Sequence, residues 1–140
     1  MRSILILTKT RYILRLSELL PNVTFGTIHN EEYWMNKKWD VIVSYCYGRK
    51  IKGDILKENI FNLHPAPLPK YKGGDPYADG ERDGVMGWEV TLHRMTENYD
   101  EGEIIDTKKC SFIRKPTKNE IWFIAHSMAL ELLINSLYTK

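Results

Sequence analysis

The sequence predicts an α/β fold, a mostly parallel Rossmann-like sheet with flanking helices, and three observations carry that prediction. Two short runs, SILILT at residues 3–8 and WDVIVS at residues 39–44, are apolar without alternation. Strands buried on both faces of a parallel sheet look like this. The segments that follow them have helical spacing, and strands alternating with helices build parallel sheets. The last twenty-odd residues form one long apolar-striped helix. A chain of 140 residues with 43% apolar content can bury a real core, so residues 1–140 are read as a single domain.

Each element has its own justification. Residues 3–8 are the first strand. Residues 11–20 place Ile13, Leu14, Leu16, Leu19 and Leu20 at helical spacing, and Pro21-Asn22 stops them. Residues 23–28 are a second strand and 39–44 a third. Residues 51–58 read as a short helix. Residues 88–93 and 104–113 read as strands. Residues 118–137 read as the long helix, with Ile121, Ile124, Ala125, Met128 and Leu132 in one stripe and Glu131 and Asn135 toward water. Thr117 with Glu120 three residues on is a capping box.

Composition excludes several classes. A net charge of +2 argues against nucleic acid as the main partner. Cys46 and Cys110 are too few and too far apart for a disulfide framework or a zinc site, so no metal is expected. Cys46, in an apolar strand, reads as a buried free thiol of a reducing, cytoplasmic compartment. No apolar run looks long enough for a bilayer, and the apolar start breaks at Thr8-Lys9-Thr10-Arg11 before any signal-peptide cleavage site. The same stretch lacks the glycine-rich turn that opens a dinucleotide site.

The chemistry-bearing residues lie elsewhere. FNLHPAPLPKY at residues 61–71 puts Asn62 and His64 in a turn stiffened by three prolines. WEVTLHRMTENYDEGEII at residues 88–105 delivers Asp100 just before Gly102. Asn, His and Asp are the groups that stabilise an oxyanion and move protons in acyl transfer. The plainer reading has Asn62 and His64 stabilising a turn and Asp100 capping a bend. Four runs stand in order around these residues: Asn62-Leu63-His64-Pro65, Leu68-Pro69-Lys70-Tyr71-Lys72-Gly73, Val90-Thr91-Leu92-His93 and Asp100-Glu101-Gly102.

Together these motifs resemble the folate-dependent formyltransferases, whose members act on glycinamide ribonucleotide, methionyl-tRNA and nucleotide sugars. The close resemblance covers about residues 40–106. It implies a formyltransferase-like fold and 10-formyltetrahydrofolate as co-substrate. It assigns Asn62 to the oxyanion, His64 to a second hydrogen bond, and Asp100 to pairing with His64 and taking up the amine proton. It also implies a pterin site along residues 41–51, held largely by backbone. Tyr47, Arg49 and Ile51 are the positions expected there, with Asp100 opposite them. Trp88, where nucleotide-sugar members often carry Trp, and the His-Pro-Ala-Pro turn imply a nucleotide-linked amino sugar as the amine. The alternatives are a glycinamide-like amine, or an impaired folate- or nucleotide-binding relic.

The chain departs from the resemblance twice. Its N-terminal half is truncated, lacking a helix–strand unit that residues 30–39 are too short to replace. The segment after Pro76 is polar where relatives have an amphipathic helix, so that helix is expected to be frayed or absent. His93 reads as a satisfied structural histidine, Lys70 and Lys72 as a solvated loop, and Tyr33 and Trp34 as cover for a core edge. A shortened sheet with an exposed edge suits a homodimer.

Overall fold

The computed structural model describes residues 2–68, 70–71, 74–98 and 101–138. Six strands form one sheet: β1 (Ile4–Leu7), β2 (Thr24–Gly26), β3 (Val41–Ser44), β4 (Ile60–His64), β5 (Gly87–Arg94) and β6 (Ile104–Ser111). Their order across the sheet is β2-β1-β3-β4-β5-β6. The β2, β1, β3 and β4 strands run parallel to one another, and β5 and β6 follow as antiparallel neighbours. The parallel half is the part whose sequence lacks alternation, and β1 and β3 are buried at every position.

Four helices cover the sheet: α1 (Thr10–Leu19), α2 (Glu31–Met35), α3 (Pro76–Asp83) and α4 (Lys118–Tyr138). Strand periodicity divides the core into two clusters. Ile4, Ile6, Val41, Val43, Leu63, Val90 and Leu92 pack with Leu16 of α1 and with Ile121, Ala125, Met128 and Leu132 of α4. The alternate positions Leu5, Leu7, Ile42 and Ile60 pack with Trp34 of α2, Tyr47 and Ile51. The crossover between β2 and β3 therefore covers its face with a five-residue helix and one anchoring tryptophan, whose indole N–H donates to Thr27 O at 3.1 Å.

The capping box is present: Glu120 N–H donates to Thr117 Oγ1 at 3.2 Å and Thr117 N–H donates to Glu120 Oε1 at 3.0 Å. Four expectations need correction. The short helix expected at residues 51–58 is a 3-10 turn, Asp54–Lys57. Asn62 and His64 lie in strand β4 rather than in a turn, because β4 pairs with both β3 and β5 before the first proline breaks it. The α3 helix forms despite its polar sequence. Asp75 caps it through Ala78 N–H, Pro76 occupies its first turn, and Gly84 ends it at φ 68° in the left-handed region. Lastly, α4 is long and apolar enough to cross a membrane, at 21 residues and mean hydropathy 1.3. Here it buries Ile121, Ala125, Ala129, Leu133 and other residues against the protein, as a core helix does.

Candidate active site

Parallel strands place their carboxyl ends on one edge, and the register sets Ser44 of β3 beside Asn62 of β4. The loop after β3 and the last residues of β4 are thus neighbours at the edge where such sheets bind ligands. Asn62 and His64 are two apart on a strand and face the same side. Leu63 between them faces the α4 core.

Neighbouring strands fix both side chains. Asn62 sits opposite His93 and His64 opposite Thr91 across the antiparallel pair. The Asn62 amide nitrogen lies 3.1 Å from His93 Nε2, and His93 Nδ1 lies 3.0 Å from the Arg94 carbonyl oxygen. His64 Nε2 is 3.2 Å from the Tyr71 carbonyl oxygen. A carbonyl only accepts, so that nitrogen of His64 carries a proton.

The proline-rich segment is held in turn. Trp88 Nε1–H donates to Pro65 O at 3.0 Å, and Thr91 Oγ1–H donates to Ala66 O at 3.3 Å. The Tyr71 ring packs on Trp88 at 5.2 Å, and its hydroxyl donates to Asp83 of α3 at 2.9 Å. The Val-Thr-x-His strand is therefore the clamp of the Asn-x-His-Pro segment. Of the Leu-Pro-x-Tyr-x-Gly run, Pro69, Lys72 and Gly73 lie outside the described residues.

Asp100 also lies outside the described residues. Its flanks are fixed: Glu101 N–H donates to Asn98 O at 3.3 Å, and Arg94 N–H donates to Glu103 O at 2.8 Å. Gly102 packs so tightly that a Cβ there would lie 1.6 Å from Arg94 O. Glycine is needed at that point for contact, not for φ. The Arg94 carbonyl that Gly102 covers is the one His93 Nδ1 reaches.

The positions expected at a pterin site fall in a tight loop where Cys46 (φ 57°) and Gly48 (φ 84°) are both left-handed. The side chains of Tyr47 and Ile51 are buried in the second core cluster. Tyr47 O–H donates to Glu31 Oε1 at 2.8 Å, and Arg49 pairs with the same oxygen at 2.7 Å. Burial and then Glu31 raise the Tyr47 hydroxyl's pKa, so it stays a donor. This loop can offer a ligand its backbone, while the Tyr47 and Ile51 side chains are committed inward and Arg49 stays exposed.

Among the described residues, two cavities lie near the segments that follow β1 and β3. One of about 250 Å³ lies at the ends of β1 and β2, lined by Thr8, Lys9, His29, Tyr47, Gly48 and Arg49 among others. The buried Thr8 hydroxyl has no hydrogen-bond partner among the described residues. The other, of about 190 Å³, is lined by Tyr12, Arg15, Tyr45, Trp122, Phe123 and His126 among others. At its floor the Tyr45 hydroxyl bonds His126 Nδ1, and Tyr77 O–H sits 3.1 Å from Nε2. Burial, with Arg11 adding, pushes His126 down to about 4. Burial pushes the neighbouring Cys46 thiol up to about 11. The cluster is therefore neutral at physiological pH. Sequence reasoning singled out neither Thr8 nor His126, since neither carries a motif.

Comparison with known proteins gives a consistent result. The family model described as formyl transferase matches residues 23–137. The bifunctional polymyxin resistance protein ArnA of Wigglesworthia glossinidia brevipalpis is 35% identical over 94 residues, covering 65% of this chain and 14% of that protein. Methionyl-tRNA formyltransferase of Buchnera aphidicola is 24% identical over 132 residues, covering 90% of this chain and 42% of that protein. This chain thus spans less than half the length of these curated relatives. Among solved structures, the formyltransferase PseJ from Anoxybacillus kamchatkensis superposes with TM-score 0.74 at 26% identity, over 98% of this chain and 75% of that one. PseJ was solved with UDP-4,6-dideoxy-4-formamido-L-AltNAc and tetrahydrofolate. Phosphoribosylglycinamide formyltransferase from Streptococcus pneumoniae superposes with TM-score 0.75 at 17% identity over 99% of both chains, a likeness of fold.

Proposed function

Because this chain belongs to the formyl transferase family, we propose that it is an N-formyltransferase using 10-formyltetrahydrofolate, with a primary amine on a nucleotide-linked amino sugar as acceptor. The observation that carries the proposal is the end of β4. It places the Asn62 amide and the His64 imidazole on one sheet face at the ligand-binding edge, with the His64 Nε2–H turned to Tyr71 O.

In this reading Asn62 Nδ2–H donates to the oxygen of the formyl group as it becomes an oxyanion. His64 gives the second hydrogen bond by turning its Nε2–H from Tyr71 O to the oxyanion, which leaves Nδ1 for Asp100. Asp100 pairs with His64 and accepts the proton that the attacking amine loses, and a proton is returned to the folate nitrogen as its bond to the formyl carbon breaks. The loop around Tyr47, Arg49 and Ile51 meets the pterin through its backbone, which fits the inward commitment of the Tyr47 and Ile51 side chains. The cavity lined by Lys9, His29 and Arg49 suits the phosphates of a nucleotide-linked acceptor, as does the likeness to PseJ. The enzyme would work on small molecules in the cytoplasm, with Cys46 and Cys110 as thiols.

The test is direct. The protein is incubated with 10-formyltetrahydrofolate and a panel of UDP- and dTDP-linked amino sugars, and tetrahydrofolate release is followed. Acceptor-dependent release is expected. Binding of a folate analogue with no release for any amine, glycinamide ribonucleotide included, would mark a binding relic and overturn the proposal.

A further inference from the structure

We propose that His93 is a positioning residue that sets the orientation of the Asn62 amide, and that it links this amide to the loop carrying Asp100. The inference rests on the catalytic reading of Asn62 above. It begins with a constraint that needs no substrate. His93 is buried, 2% exposed, on β5 directly across from Asn62. Directly opposed residues of an antiparallel pair stand close enough for their side chains to bond.

The ring's two nitrogens have different partners. Nδ1 faces the Arg94 carbonyl at 3.0 Å. A carbonyl cannot donate, so Nδ1 carries a proton; in the tautomer with that proton alone, Nε2 offers a lone pair. The atom of Asn62 that faces Nε2, at 3.1 Å, must then be the amide NH₂. The flipped amide would set Oδ1 against the lone pair, acceptor on acceptor. This tautomer holds the Asn62 amide with its nitrogen toward the His93 ring and its oxygen turned away from Nε2. Amide orientation is ordinarily ambiguous; here an independent contact decides it.

Two backbone features aim the ring. The β5–β6 register shifts between Leu92 and His93, and such irregularities bend a strand and redirect a side chain. Gly102 packs on Arg94 O, within 1.6 Å of where a Cβ would stand. The carbonyl that orders the His93 tautomer is therefore covered by Gly102. Contacts run from Gly102 to Arg94 O, to the His93 ring, to the Asn62 amide. A displacement of this loop would reach the oxyanion donor through one imidazole.

The experiment uses the full chain with and without substrates. In ligand-free ¹⁵N-labelled protein, long-range proton–nitrogen spectra should show His93 as the Nδ1–H tautomer, with a scalar coupling between its Nε2 and Asn62 Nδ2. His93→Phe keeps the buried ring and removes both hydrogen bonds. His93→Gln restores an acceptor toward Asn62. His93→Phe should lower kcat by about 10²-fold, the range found for losing one oxyanion donor, with KM for the folate unchanged. His93→Gln should recover part of that loss. An Nε2–H tautomer, a missing coupling, full kcat in His93→Phe, or a fall confined to KM would each overturn the inference. Absent turnover in wild type would count against the proposed function instead, and the NMR measurement stands apart from it.

Discussion

At the residue scale, the chemistry assigned to β4 rests on side chains whose neighbours are hydrogen-bond donors and acceptors of fixed sense. His64→Ala removes a ring that donates to Tyr71 O, and turnover should fall by about 10²–10⁴-fold, the usual contribution of a general acid or base. The variant should stay folded, because His64 is not part of either core cluster. Steady-state rates beside circular dichroism check both halves. Asn62→Ala should lose about 10²–10³-fold in kcat, and it removes the amide that His93 Nε2 meets. Gly102→Ala tests the loop beside Asp100. Its methyl would meet Arg94 O at 1.6 Å, so the loop must shift, and folate affinity and kcat should fall together. An unchanged rate in Gly102→Ala, measured with the acceptor found for wild type, would detach that loop from the chemistry.

At the scale of elements, α3 explains what the sequence conceals. Its composition, Pro-Tyr-Ala-Asp-Gly-Glu-Arg-Asp, carries no apolar stripe, so hydrophobic periodicity cannot find it. The helix packs by absence instead. A Cβ on Gly80 would stand 2.7 Å from the Trp88 ring, which fills that space. In an exposed helix Gly→Ala gains up to about 1 kcal/mol. Here the sign should reverse, since Trp88 is 2% exposed and pinned to Pro65 O, and overpacking typically costs about 1–3 kcal/mol. Gly80→Ala should lower the urea midpoint and disturb the proline-rich segment that Trp88 holds. A stabilised variant would refute the packing account. The strands β1 and β3 and the capping box of α4 were legible because burial on both faces and cap chemistry are local signals. Asn62 and His64 were legible as chemistry but not as strand, because three prolines follow them while the pairing that makes β4 comes from β3 and β5. His93 read as structural, since only the register across β4 and β5 shows which amide it touches.

At the scale of the whole molecule, the His126 cluster ties distant parts of the chain together. Its ring joins α4 to Tyr45 after β3 and Tyr77 of α3, with Tyr12 of α1 stacked at 6.1 Å. The ring is buried, and burial first and Arg11 second hold its pKa near 4, well below the ordinary histidine value of about 6.5. The sign follows from which state takes the proton first. Above about pH 6.5 neither state is protonated there, and the cluster's contribution is complete. As pH falls below that, the unfolded chain protonates while the native ring does not, so stability declines. Near pH 4 the native ring also takes its proton and the decline levels off. The full effect is on the order of 3 kcal/mol, and at pH 5 about 2 kcal/mol of it should already be lost. Glu120, held near 2 by Arg114 and the Thr117 cap, contributes its own acid loss at lower pH. His126→Gln keeps hydrogen-bonding capacity for the two tyrosines and cannot titrate. Urea unfolding at pH 7 and pH 5 should therefore show wild type losing about 2 kcal/mol more than His126→Gln over that interval. Equal losses would mean that His126 carries its proton in the native state, and that the tyrosine pair does not hold it neutral.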